Sequence, residues 1–227
     1  MRTLIILAFL SLTACGRPLS EAEARFASEF HGPALDTSKV RIRQAPILKL
    51  YNTTYPTPPR TTCSQKILPP VARPTITSAP GATVLFNTIN VNPDYAARDY
   101  LPAYPDAALL LASMFLAHEL VHVWQWQNRA TTGYHPFKAA QEHQSSPDPY
   151  LFELSNTAEF LDFGYEQQGA IAAEYVCCAA LAPKAPRTTR LERLMQPHFD
   201  LAAMTTRLDD AKMVLPWKGV ELDDICD

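Results

Sequence analysis

The run Ala107-Ala108-Leu109-Leu110-Leu111-Ala112-Ser113-Met114-Phe115 holds no glycine, proline or charge, and it leads straight into Leu116-Ala117-His118-Glu119-Leu120-Val121-His122-Val123-Trp124-Gln125. An unbroken apolar stretch reads as a buried helix, and a helix apolar all round has to lie in the middle of its domain. Two histidines four residues apart on such a helix stand one above the other, so both imidazoles reach a single Zn²⁺. Glu119 lies about 100° round the helix from His118. That sets it beside the metal as the candidate general base. Three ionisable side chains are costly to bury in an apolar helix unless something satisfies them together, and a metal ion does so.

The chain begins Met1-Arg2-Thr3, continues apolar over residues 4–12 apart from Ser11, and reaches Leu12-Thr13-Ala14-Cys15. One positive charge, an apolar core too short to span a bilayer and small residues before a cut describe a bacterial secretory signal. Leu-Thr-Ala-Cys is similar to the lipobox of bacterial lipoproteins, which makes Cys15 the lipidated mature N-terminus. Residues 1–14 are thus expected to be a lipoprotein signal peptide and residues 15–227 a single domain, lipid-anchored in the bacterial cell envelope and facing the periplasm. The formal net charge of −3, one unit more negative once Arg2 is lost, and the lack of any basic run argue against a nucleic-acid partner. Cys63, Cys177, Cys178 and Cys226 are an even set in a compartment where disulfides persist. A bond between the adjacent Cys177 and Cys178 would be strained, so Cys63 and Cys226 are each expected to bond one of the two neighbours.

Ser20 and Glu23 have capping-box spacing ahead of a first helix that Gly32-Pro33 stops. Val40-Arg41-Ile42-Arg43 alternates as a half-buried strand does, with Ile47-Leu48-Lys49-Leu50-Tyr51 as its continuation past Pro46. Eight prolines over residues 46–80 keep that segment extended or turning. Residues 83–91, rich in β-branched side chains and framed by Pro80-Gly81 and Asn92-Pro93, read as one strand, an edge on which an extended substrate would pair. Asp106 is placed to cap the long helix, which runs to about residue 129. Asp162 is placed to cap a later helix over residues 163–181, and two short helices follow Pro183 and Pro197.

A catalytic zinc takes three protein ligands and leaves a fourth position for water. No third histidine follows His122 at short range, so the later helix has to supply the ligand, and Glu166 and Glu174 both qualify by type. Glu166 is preferred because Gly169, Ala170 and Ala173 let two helices approach closely beside it. Glu174, eight residues on and about 12 Å along the axis, cannot share the site and reads as a solvated face charge.

His118-Glu119-Leu120-Val121-His122-Val123-Trp124-Gln125 together with Glu166-Gln167-Gln168 resembles a bacterial group of gluzincin-type metallopeptidase domains, some of them associated with contractile injection systems. The group's pattern is an HExxHVWQ helix followed by an EQQA helix. The likeness extends weakly to Phe30-His31-Gly32-Pro33-Ala34-Leu35-Asp36 and to Asn87-Thr88-Ile89, over about residues 20–180. Gly169 stands where the group usually has alanine, and the signal ending at Cys15 lies outside its pattern. The resemblance implies a reaction class rather than a substrate.

The expected fold is thus α+β and zincin-like, a small twisted sheet with a long HExxH helix and a second helix carrying the third ligand. The expected function is zinc-dependent hydrolysis of a peptide bond in a protein or peptide substrate, with His118, His122 and Glu166 on Zn²⁺ and Glu119 as base. Tyr134, His135, Tyr165 and Tyr175 are candidates for stabilising the oxyanion. The rival is a non-catalytic, zinc-stapled envelope lipoprotein that serves as a binding or scaffold module.

Overall fold

The computed structural model describes residues 16–146, 148–155 and 158–227. The expected signal peptide and Cys15 lie outside the described residues. Helix α1, Glu21–His31, begins where expected: the Glu23 N–H donates to Ser20 Oγ at 3.1 Å and the Ser20 N–H to Glu23 Oε2 at 2.8 Å. It ends at Gly32, whose φ of +55° the missing Cβ permits. Glu23 is fully buried and also accepts from Arg17 at 2.6 Å and from the Tyr100 N–H at 2.9 Å, so the cap doubles as an anchor for two loops.

Three strands form the main sheet, in the order β1 (Arg41–Gln44), β5 (Thr88–Val91), β4 (Ala82–Leu85), with β1 parallel and β4 antiparallel to β5. The single strand expected over residues 83–91 is therefore a hairpin, with Leu85 paired to Thr88 and Phe86-Asn87 as its turn. Phe86 at φ +59° is no ordinary turn residue, which is why the break is invisible in the sequence. The tip is held instead by packing: the Phe86 ring lies 4.6 Å from that of Trp126. β5 is consequently interior, and of the two hairpin strands β4 is the one at an edge of the sheet. The continuation expected past Pro46 is a 3₁₀ turn, Pro46–Leu50, because proline offers no N–H to a ladder. The proline-rich segment then folds as a hairpin of β2 (Thr53–Pro56) with β3 (Thr75–Ser78), and it does include one helical turn, α2 (Cys63–Lys66).

The long helix, α3, is Leu110–Gln127. Asp106 does not cap it: Ala107–Leu109 forms strand β6, paired in parallel with β7 (Lys212–Val214), and the Asp106 carbonyl accepts from the Lys212 N–H at 2.9 Å. Tertiary pairing with the chain's far end has overridden the local cap signal. Helices α4 (Arg129–Thr132) and α5 (Pro136–Ser145) follow, then α6 (Tyr165–Leu181), α7 (Pro186–Met195) and α8 (Leu201–Asp210). Asp162 belongs to a 3₁₀ turn before α6, whose N-cap is Gly164.

The centre is the pair α3 and α6, with β4 and β5 against α3 and with α2, α7 and α8 against α6. Leu116, Ala117, Leu120 and Val121 of α3 and Ile171, Ala172, Tyr175 and Val176 of α6 are fully buried. The architecture is α+β, small sheets with several helices. Disulfides Cys63–Cys177 and Cys178–Cys226 pair each distant cysteine with one of the neighbours on α6, as expected. Glu174 is not a solvated charge. It is buried, accepts from the N–H groups of Cys63 and Ser64 at 3.0 and 3.2 Å and from Arg187 Nε at 2.7 Å, and so ties α2 and α7 to α6. No helix among the described residues is long and apolar enough to cross a membrane.

Candidate metal centre

His118 and His122 stand on the α3 face that meets α6, their Nε2 atoms 3.2 Å apart. Glu166, in the first turn of α6, points its Oε2 at both, 3.3 Å from His118 Nε2 and 3.4 Å from His122 Nε2. The ligand atoms of the three lie within 4.8 Å of one another, a group that could hold a metal ion. Close approach of the helices makes this possible, as the small residues on α6 suggest. A Cβ built on Gly169 would lie 2.6 Å from His118 Cε1, so the ring occupies space that only glycine leaves open. The difference from alanine is therefore steric as well as conformational. Glu174 lies outside this cluster, bonded elsewhere.

One set of hydrogen bonds explains the two glutamines downstream of the histidines and of Glu166. His122 Nδ1 donates to Gln125 Oε1 at 2.9 Å; Gln125 Nε2 donates to Gln168 Oε1 at 3.0 Å and to the Tyr165 carbonyl at 3.1 Å; Gln168 Nε2 donates to the Phe163 carbonyl at 2.8 Å. With its amide directed to two oxygens, Gln125 has only its carbonyl left for His122. A proton is thereby fixed on Nδ1, and Nε2 is the atom that faces Glu166 and would offer its lone pair to a metal.

The electrostatics follow from burial. Burial raises the Glu119 carboxyl above the ordinary range, against the opposing pull of His118 and His122. Burial alone would also raise Glu166, but the charge of His122 and the hydrogen bonds of His118, His122 and His143 together hold it well below. Burial acts to lower His122, yet Glu166 and Glu119 push it up to about 9. The site thus concentrates two carboxylates around a position that calls for positive charge. Among the described residues nothing hydrogen-bonds the Glu119 carboxylate, in contrast to Glu166.

The four oxyanion candidates separate. Tyr134 is buried with its ring stacked 6.3 Å from that of His122, and its hydroxyl is held protonated by burial and by Glu166 and Glu119. Tyr165 packs edge-on against Tyr134 at 5.1 Å and spends its hydroxyl on the Gly133 carbonyl. His135 is exposed and caps α5 through the Phe137 N–H, away from the cluster. Tyr175 bonds Thr205 on α8, in the opposite part of the core. Two residues went unrecognised in the sequence. Tyr150, 45% exposed as a residue, lies with its ring 5.8 Å from that of His118, and desolvation of its hydroxyl together with the same two carboxylates keeps that group protonated. His143 Nε2 bonds Glu166 Oε1 at 3.1 Å. The only local signal was a histidine and a tyrosine in the connection between the two ligand helices.

No family model matches the chain, and no curated protein matches it. Among solved structures, the chain is similar to the effector domain of Pseudomonas aeruginosa VgrG2b. That likeness is 22% in sequence identity over 82% of this chain and 85% of the other, at a TM-score of 0.48.

Proposed function

We propose that the chain is a zinc metallopeptidase of zincin-like topology, with His118, His122 and Glu166 as a gluzincin-type ligand set and Glu119 as the base. The observation that carries the reading is the convergence of those three donors with a second, unbonded carboxylate beside them. Two imidazole nitrogens and one carboxylate oxygen are the donor set of a catalytic rather than a closed structural site, and a part-buried pair of imidazole nitrogens turned toward each other is explained by a cation between them. When bound, zinc supplies Lewis acidity, polarising a carbonyl and lowering the pKa of water.

The chain's own groups do the rest. Glu119, its carboxyl raised above the ordinary range by burial, accepts a proton from the attacking water and returns it to the leaving amine. Glu166, held ionised, and His122, fixed by Gln125, keep the donor set in register without rearrangement. Tyr134 and Tyr150 present protonated hydroxyls to the space beside the histidines, where they can donate to an oxygen that gains charge. The substrate is a protein or peptide. The address proposed is the bacterial envelope, through a lipid on Cys15 with the domain facing the periplasm, where two disulfides are stable.

The test is chelator-sensitive cleavage of casein by the signal-less protein, with Glu119→Gln alongside. Cleavage by the wild type, lost in Glu119→Gln and on chelation, is expected. Bound zinc with no cleavage of casein or of a peptide library, and no difference on Glu119→Gln, would favour the scaffold reading.

A further inference from the structure

Helix α5 is poorly anchored by apolar packing: Ala139 is its one buried residue, and Phe137 is 81% exposed. What holds it to the body is polar, and it is aimed at the first turn of α6. Glu142 accepts from the Tyr165 N–H at 2.9 Å and from the Glu166 N–H at 3.0 Å, one carboxylate oxygen each. The next residue, His143, bonds the side chain of that same Glu166. Consecutive residues of one helix thus grip the backbone and the carboxylate of the third ligand.

The start of α6 is built to receive them. Its N-cap is Gly164, which has no side chain with which to satisfy the first N–H groups of the helix. A Cβ there would lie 3.1 Å from Glu142 Oε1 and 3.2 Å from Oε2, so glycine is what lets the foreign carboxylate approach. Glu142 therefore serves as a cap supplied from another helix, with a full negative charge at the positive end of α6. The two oxygens of Glu166 are divided in consequence. Oε2 faces the two histidines and Oε1 faces away from them to His143 Nε2.

We propose that Glu142 and His143 are positioning residues that make Glu166 a one-oxygen ligand and keep the remaining metal position open; the consequence at the metal rests on the metallopeptidase reading above. With Oε1 committed to His143, the carboxylate cannot swing to chelate through both oxygens, and the space beside the metal stays available to water and substrate. Tyr150, whose ring lies 5.7 Å from that of His143 and 5.8 Å from that of His118, closes the other side of the imidazole.

The experiment uses Co²⁺ alone as the probe, titrated into metal-free signal-less protein and read by visible absorption, with hydrogen exchange at single amides as the metal-independent arm. His143→Ala is expected to weaken Co²⁺ binding about tenfold and to lower the absorption intensity as the second oxygen of Glu166 raises the coordination number. His143→Gln, which can place a donor near the same point, should restore both. Glu142→Ala should speed exchange of the Tyr165 and Glu166 amides about tenfold in the metal-free protein, from loss of a charge-assisted bond. Wild-type affinity and spectrum in His143→Ala, or failure of His143→Gln to restore them, would overturn the assignment of His143. Unchanged exchange in Glu142→Ala would overturn that of Glu142. A wild type that takes up no Co²⁺ would sink the metallopeptidase reading and with it the positioning role of His143 at the metal, while the exchange arm would still decide the grip on α6.

Discussion

Replacing Gln125 with methionine separates what this residue does for folding from what it does for the metal. Gln125 is fully buried, and its carboxamide joins His122, the Tyr165 carbonyl and Gln168 at 2.9, 3.1 and 3.0 Å. Methionine fills a similar volume without either polar atom, so the packing change is small. Three hydrogen bonds are lost, each with a net value of about 1 kcal/mol and each leaving a partner buried, for a total of about 3 kcal/mol. In a chain of this size that lowers the melting temperature by roughly 6–12 °C. A separate effect falls on the metal: with no acceptor at Nδ1, His122 is no longer committed to the tautomer that leaves Nε2 free, and zinc affinity should fall about 10- to 100-fold. Urea unfolding with chelator present reads the first effect, and competition against a chromophoric chelator reads the second. Lost stability with unchanged zinc affinity would refute the tautomer argument. Weakened zinc binding with unchanged stability would refute the bridging of α3 to α6.

His31 is buried with neither ring nitrogen hydrogen-bonded among the described residues, and burial holds its pKa down to about 3 from 6.5. The unfolded chain therefore takes up a proton that the folded chain refuses, so stability present above pH 6.5 is lost as the pH falls toward 3, about 2 kcal/mol of it between pH 7 and 5. Urea unfolding at both values should show that difference between wild type and His31→Phe, and equal pH dependence would contradict it. Glu174→Ala strands the Arg187 guanidinium and two backbone N–H groups and should cost about 3–5 kcal/mol while zinc content stays stoichiometric; a zinc-poor but stable variant would reverse the roles given to Glu174 and Glu166. On the edge strand β4, the bond from the Asn92 N–H to the Gly81 carbonyl fixes the alternation so that the Ala82 N–H faces away from β5. If an extended substrate pairs there, Ala82→Pro should raise KM severalfold with little change in melting temperature, and an unchanged KM would move the substrate elsewhere.

What could be read from the sequence was whatever is written in local spacing. The four-residue interval of His118 and His122, the capping box of Ser20 and Glu23, and the small residues beside Glu166 each state a helical geometry that the fold retains. The neighbouring cysteines left two pairing schemes, each joining a distant cysteine to one of them, and the fold selects Cys63 with Cys177 and Cys226 with Cys178. What was not legible depends on partners far away in the chain. Phe86 turns a hairpin because Trp126, forty residues on, packs on it. Glu174 looks like a surface charge until Cys63, Ser64 and Arg187 arrive. Gln125 and Gln168 were visible only as letters of a motif, and their purpose, fixing a proton on His122, exists only once α3 and α6 are side by side. His143 and Tyr150 sit in a connection with weak periodicity, where no local rule distinguishes a site residue from a loop residue.

The central claim is that His118, His122 and Glu166 form one metal site, and zinc stoichiometry across substitutions tests it most directly. Purified signal-less protein, loaded with excess zinc, desalted and analysed by mass spectrometry of the metal, should hold one zinc per chain. Glu119→Gln should hold the same amount, and His118→Ala, His122→Ala and Glu166→Ala each clearly less. A wild type free of zinc after loading, or full stoichiometric zinc retained in Glu166→Ala, would contradict the account.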